Sequence, residues 1–254
     1  MKLALGPVFA LLIACSRAPS AATATPTATT TTTATASPTA TPTPTPTATP
    51  PVSRLVVHLV PLGEIDDETV QQAAEGLRTH VPAIVVVEPR AALAPSTASS
   101  IKGRWRAEKI LDWMENIASG ERDAGGPQAA PGTTQKWMSL TDVDIVAQKG
   151  QNPNWGVLGL GNVDGRFCVL STFRMRRKWE NGGAPEDVVR DRLWKTAVHE
   201  LGHTLGLPHC PHVGCIMEDA HGTVKTTDRE VELCPDCARR FREASGRRAE
   251  GGAE

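Results

Sequence analysis

Hydrophobic positions along this chain switch between continuous runs and helical stripes. RLVVHLVPLG, Arg54 to Gly63, is an almost unbroken apolar run closed by Pro and Gly, which predicts a buried strand. Asp66 to Thr79 carries helical spacing behind an acidic cap at Asp66 or Asp67. AIVVVEP, Ala83 to Pro89, is rich in β-branched residues and predicts a second buried strand. Strand, helix, strand in that order implies a parallel pair joined by a crossover. After a Pro/Ala/Ser loop to about Lys102, Gly103 to Ala118 reads as a helix with Trp105, Ile110, Leu111, Trp113, Met114 and Ile117 as its apolar members. Ser119 to Gln135 is a Gly- and Pro-rich loop, and Trp137 to Val146 holds a third strand after or around Leu140. Gly156–Leu160 and Arg166–Arg174 are two further strands, with the hairpin signal Asp164-Gly165 between them in Asn162–Gly165. Ala184 to Leu205 reads as a long helix with Pro185 in its first turn. Thr227 to Phe241 closes the domain and is helical after Cys234. The expected fold is α/β of the α+β type, with a twisted mixed sheet of about five strands and three main helices.

The first fifty residues follow another pattern. MKLALGPVFALLIAC is one Lys and an apolar run of signal-peptide length, too short for a stable membrane span. Its end, Leu12-Ile13-Ala14-Cys15, looks like a bacterial lipobox, in which Cys15 becomes the acylated N-terminus; ordinary cleavage after a small residue is the alternative. An Asp after that Cys retains Gram-negative lipoproteins in the inner membrane, so Ser16 points to the outer membrane or cell surface. Ser16 to Val52 is nearly all Thr, Ala and Pro, with too little large apolar surface for a core. It would be an extended tether with a reach on the order of 100 Å. The organisation expected is a signal peptide at 1–15, a disordered linker at 16–52, a catalytic domain at 53–245 and a disordered tail at 246–254. The expected location is the cell envelope, through a lipid anchor.

A net charge of −1, with no basic stripe, excludes nucleic acid as the expected partner. The local cluster Arg174, Arg176, Arg177, Lys178 is a solvated strand end or, on a sharper reading, a preference for acidic substrates. The strongest chemistry lies in HELGHTLGLPH, His199 to His209. His199 and His203 stand four apart, on one face of a helix, where two imidazoles make two corners of a zinc site. Glu200 is placed to act as a base on a water at that metal rather than to ligate it. Gly206 stops the helix in the left-handed conformation. His209 then returns as the third ligand, leaving a fourth position open, as catalytic zinc requires. Cys210, Cys215, Cys234 and Cys237 have the spacing of a structural zinc site, while an exported compartment favours two disulfides; the residues leave both open. Cys168 reads as a core residue, His58 and His80 as structural or solvated, and His212 and His221 as spare.

The pattern His-Glu-x-x-His-x-x-Gly-x-x-His followed by Met217 resembles the metzincin zinc peptidases, with Met217 as the methionine turn beneath the metal. Within them it resembles the archaemetzincins, which carry a Cys directly after the third His, another just before the Met, and a later Cys-x-x-Cys. Here those are Cys210, Cys215 and Cys234-Pro235-Asp236-Cys237. The resemblance runs from about Arg54 to Ala244 and is strongest after Trp194. It implies a metzincin-like domain with an active-site helix, a C-terminal zinc-stapled helix and two zinc ions, one catalytic and one structural. It also implies a peptide or protein substrate, held antiparallel against a cleft-lining edge strand placed at Phe167–Arg174, and a monomeric enzyme. Several metzincin families supply a Tyr after the methionine turn; this chain has no Tyr, so that role is unfilled. Two rivals remain at this level: a non-enzymatic zinc-binding surface lipoprotein, and a zinc hydrolase of a non-peptide amide.

Overall fold

The computed structural model describes residues 54–123, 133–177 and 183–246, all within one unit spanning Thr49–Glu254. Cys15, Lys178, the linker and the C-terminal tail lie outside the described residues. Strand β1 (Arg54–Pro61) leads through helix α1 (Asp67–His80) to β2 (Ala83–Val87), parallel to β1 as the alternation predicts. Strand β3 (Arg104–Arg106) precedes α2 (Ala107–Asp123), so Trp105 belongs to a strand and not to the helix. The third strand expected at Trp137–Val146 is two: β4 (Thr133–Thr141) and β5 (Asp144–Lys149). Then come β6 (Asn152–Gly156), β7 (Gly159–Gly161), β8 (Phe167–Ser171), the short α3 (Thr172–Met175), α4 (Glu186–Thr204), α5 (Val224–Arg229) and α6 (Pro235–Ala244).

The main sheet has five strands in the order β2-β1-β4-β8-β7; the first four are parallel and β7 runs antiparallel to β8. Alternation along each strand sends side chains to opposite faces. Leu55, Val57, Leu59, Cys168 and Leu170 face one core, shared with Val70, Ala73 and Leu77 of α1 and Leu193, Ala197 and Leu201 of α4. Val60, Phe167 and Val169 face the other, shared with Ile110, Leu111 and Met114 of α2. The middle of the sheet is thus covered on both sides, which is why β1 and β8 read as nearly continuous apolar runs. A second sheet, β3-β5-β6, flanks the α2 side.

Three strand expectations change. β2 is an outer strand with Ile84 and Val86 exposed and only Val85 buried, because among the described residues nothing pairs with its far side. The strand expected at the cleft edge, Phe167–Arg174, is interior: β8 lies between β4 and β7, and all its residues are buried. The hairpin through Asn162–Gly165, closed by the Gly165 N–H on the Asn162 carbonyl, folds β7 over its free side. The edge is therefore β7. The segment from Thr172 is helical because Ser171 caps it, its hydroxyl accepting from the Phe173 N–H.

The basic cluster is also spoken for. Arg174 makes a two-pronged contact with the buried carboxylate of Asp144, which Arg104 also meets at 3.0 Å. Arg176 pairs with Glu186, and Arg177 lies over the Phe173 ring. Arg174 and Arg176 thus pin α3 and the start of α4 to the rest of the fold, while Arg177 remains exposed.

Candidate active site

Helix α4 is buried nearly all round from Val189 to its end. Arg192 is buried with it and binds Asp228 through both prongs and the carbonyls of Met175 and Arg177. That network locks α4 against α5 and the segment after α3. His199 and His203 sit one turn apart on α4, with Nε2 atoms 3.1 Å from each other. The helix ends after Thr204, and Gly206 takes φ +86°, the left-handed backbone expected there. The Leu207 N–H then closes on the Gly202 carbonyl, and the chain returns to bring His209 Nε2 to 3.3 Å from His203 Nε2.

The donor set fits a cation. His199 Nδ1 lies 2.6 Å from the Ile216 carbonyl oxygen, and His203 Nδ1 lies 2.8 Å from that of Leu207. A carbonyl only accepts, so each Nδ1 must carry its ring's proton. Burial holds both rings neutral: it pushes His199 down to about 3, with His203 adding to the effect, and lowers His203 as well. Bare Nε2 lone pairs therefore face one another at a spacing matching the roughly 3.3 Å between donors on tetrahedral zinc with bonds of about 2.0–2.1 Å. His209 is half exposed, and Asp219 Oδ2 stands 4.0 Å from its Nδ1. Asp219 is a residue that motif reading passes over. Burial opposes its charge, but the His221 N–H, His209, Lys149 and His221 together hold its carboxyl below the usual range.

Glu200 points from the same helix toward β7. It is buried, and desolvation raises its carboxyl to about 8 while the Gly161 N–H, donating to it, pulls the other way. A Cβ on Gly159 would fall 2.6 Å from Glu200 Cγ and Oε1, and one on Gly161 would fall 2.7 Å from the Glu200 carbonyl oxygen. The glycines let the edge strand lie directly on the Glu200 carboxyl. Lys136 ties that corner down from below, its ammonium donating to the carbonyls of Gly165 and Thr204. Cys168 lies buried beneath, its thiol pushed well above the ordinary range by burial and by the Glu200 charge. Met217 is fully buried, with its sulfur against Gly202 on the helix between His199 and His203. No Tyr follows it; Glu218 instead accepts from the Gly214 N–H and pairs with Arg229.

The four cysteines converge separately. Their sulfurs all lie within 4.8 Å of one another, with Cys210 and Cys234 at 3.8 Å, close to the edge of a tetrahedron with zinc–sulfur bonds of about 2.3 Å. The N–H groups of His212 and Cys234 point at the sulfurs of Cys210 and Cys215, as they do toward thiolates. Among the described residues these two sets are the groups arranged to hold a metal ion, and His212 and His221 belong to neither. His58 is held by Glu88 and stacked on Trp137, and His80 is stacked on Trp194.

Around the histidines opens a cleft of about 480 Å³. Gly159 to Gly161, Asp219 to Gly222, Thr227 and Glu230 are among the residues that line it.

Comparison with known proteins agrees with this geometry. The model of Peptidase family M54 matches residues 81–243. An archaemetzincin of Halobacterium salinarum is 32% identical over 187 residues, spanning 72% of this chain and 97% of its own length. The crystal structure of an archaemetzincin from Archaeoglobus fulgidus, complexed with malonate, superposes with a TM-score of 0.55 at 27% identity, covering 73% of this chain and 99% of that one. One from Methanopyrus kandleri shares the fold, with a TM-score of 0.59 at 22% identity. A mixed α/β fold with these relatives defines a zinc metallopeptidase. That class removes the non-enzymatic reading. Within it, the chain belongs to the archaemetzincin family, Peptidase family M54.

Proposed function

We propose that the chain hydrolyses peptide bonds with Glu200 as general base, that His199, His203 and His209 hold the catalytic zinc, and that the four cysteines hold a second, structural zinc. The carrying observation is the convergence of three Nε2 atoms beside a buried carboxyl. Zinc in that position supplies Lewis acidity, polarising a carbonyl, making water acidic near neutral pH and favouring the ionised form of a neighbouring carboxyl. The protein supplies the rest. Ile216 and Leu207 orient two imidazoles through their Nδ1 protons. Glu200 takes a proton from the attacking water and returns it to the departing amine nitrogen, while the Gly161 N–H keeps its carboxyl aimed. The open edge of β7, last in the sheet order, offers backbone groups to an extended peptide.

Metal content and peptide cleavage test the assignment together. Glu200→Ala should keep both zinc ions and lose activity by about 10²–10⁴-fold or more. His209→Ala should lose the catalytic zinc alone, since it removes one of three protein ligands. Wild-type turnover in Glu200→Ala refutes the mechanism.

The same proposal extends to location. The apolar run ending Leu12-Ile13-Ala14-Cys15 supports a lipid on Cys15 and an enzyme tethered to the cell envelope by the Thr/Pro-rich segment. Mass spectrometry of the N-terminal peptide from membrane-isolated protein checks it; an unmodified terminus at Ser16 or beyond refutes it.

A further inference from the structure

The far wall of the cleft carries an acid that the hydrolytic chemistry does not use. Glu230 caps the C-terminus of α5 and lines the cleft together with Thr227, Thr196 and the catalytic residues. Only 4% of Glu230 is exposed. Among the described residues its carboxyl takes no hydrogen bond or ion pair, although the charges of Lys195, Glu218, Arg229 and Asp191 reach it. Buried carboxyls are ordinarily paired, and an unpaired one in a cleft wall needs a reason. Thr196, 5% exposed and one turn ahead of His199 on α4, adds a second orphan: its hydroxyl has no hydrogen-bond partner.

The neighbouring cations are already committed. Lys195 donates to Asp191 at 2.5 Å and lies 3.4 Å from the Thr227 carbonyl oxygen. Arg229 pairs with Glu218, and Lys149 pairs with Asp219 at 3.6 Å. Among the described residues no cation forms an ion pair with Glu230. The wall is also firm, because Arg192 holds Asp228 and Lys195 reaches Thr227, fastening α5 to α4 just ahead of the acid. The site is therefore a preorganised polar recess beside the scissile position, with an unmatched acid at its base.

We propose that Glu230 and Thr196 form a specificity pocket for a cationic substrate side chain, lysine or arginine, adjacent to the bond that is cut. This deepens the peptidase reading and rests on the cleft being the peptide groove. An ammonium or guanidinium entering the recess donates one charge-assisted hydrogen bond to the carboxylate and another to the Thr196 hydroxyl. In the empty cleft, burial pushes Glu230 up to about 8, with Lys195 opposing, so at pH 7 the acid is mostly protonated. A cationic guest would favour the ionised form and expel that proton; an apolar guest of the same length would not.

The test needs binding, not turnover. Two peptidyl hydroxamates differing only in lysine against norleucine at the residue next to the metal-binding group would be titrated calorimetrically into the zinc-loaded chain, with acetohydroxamate as reference. The lysine compound should bind about tenfold tighter or more. At pH 7 it should also release close to one more proton than its partner, read from buffers of different ionisation enthalpy. Glu230→Leu should bring the affinity ratio to about one or invert it. Glu230→Gln should abolish the extra proton, and Thr196→Val should weaken lysine binding selectively. Equal affinities in the wild type, or a ratio that survives Glu230→Leu and Glu230→Gln, overturns the pocket while leaving the groove standing, provided both compounds bind far tighter than acetohydroxamate. If neither does, the groove reading has failed and the pocket with it. The base assignment of Glu200 is untouched by any of these outcomes.

Discussion

The two ligand clusters lie side by side in the chain, His209 next to Cys210, and are built on opposite plans. The histidines stand on a rigid helix and the loop past its stop, two buried and one half exposed, with a cleft before them. The cysteines come from a loop, a helix cap and the first turn of α6, all sulfur, three of the four buried. One arrangement leaves room for substrate, whereas the other closes on itself. They share no ligand, but they share a floor. Ile216, between Cys215 and Met217, offers its carbonyl to His199 Nδ1, and its N–H binds the Glu232 carbonyl two residues before Cys234. The Cys210 N–H binds the Met217 carbonyl at 2.7 Å. The closed cluster thus holds the strand of backbone on which the open one rests, and dependence should run one way.

The largest effect is expected where that floor is cut. Cys234→Ser should lose the structural zinc, free the segment around Ile216, and lower the melting temperature by on the order of 10 °C or more. With Ile216 displaced, it should also weaken the catalytic zinc. His209→Ala should lose one zinc while leaving the cysteine-bound metal, with a much smaller change in melting. Metal analysis of both variants beside thermal melts decides. A Cys234→Ser chain that keeps its catalytic zinc and melts like wild type breaks the proposed dependence.

How far each cluster can be read from the residues follows the same division. The histidine motif is local, its spacing being set by helical pitch and one glycine turn, so His199, Glu200, His203 and His209 can be located without a fold. The cysteines are legible as a set, because Cys-x-x-Cys spacing is local at one end. What escapes is long-range. Glu230 and Thr196 meet the cleft only because α5 packs on α4, and Arg192 and Lys136 look solvated until the partners that bury them are known. The edge strand is misplaced for a similar reason. β7 is three residues long, two of them glycine, so the strand expected at Gly156–Leu160 gives only a weak signal, while β8 has the stronger pattern because it is interior. The second sheet is hidden because Asp142 and Val143 alone separate β4 from β5.

A subtler way to sharpen the comparison acts at the seam. A Cβ on Gly202 would stand 2.6 Å from the Met217 sulfur and 3.1 Å from its methyl. Gly202→Ala therefore presses the helix of one cluster against the floor supplied by the other. Overpacking costs about 1–3 kcal/mol, and a pliable thioether favours the lower end. Urea unfolding should show that loss. If floor and helix are coupled, catalytic efficiency should fall as well while both zinc ions remain bound. An unchanged rate would mean that the methionine yields without disturbing the histidines.

The smallest effect serves as the control, on a helix that carries neither cluster. Asp66 caps α1: its Oδ1 accepts from the Thr69 N–H at 2.7 Å and its Oδ2 from the Thr69 hydroxyl at 2.8 Å. The Thr69 N–H, against a small opposing cost of burial, holds the Asp66 carboxyl below the ordinary range. A carboxyl depressed by folding stabilises the protein above its unfolded value of 3.8, and that contribution disappears as pH falls through the lower folded value. Asp66→Ala should thus cost about 1 kcal/mol at neutral pH, and the difference from wild type should shrink on acidification below pH 3.8. Asp66→Asn keeps an acceptor without the charge, so its smaller difference should also close toward acid as the wild-type carboxylate takes up its proton. Both changes should leave metal content and cleavage rate at wild-type values. If either shifted the zinc stoichiometry, stability anywhere in the fold would be enough to disturb the sites, and the effects of Cys234→Ser and Gly202→Ala would lose their claim to report a specific coupling between the clusters.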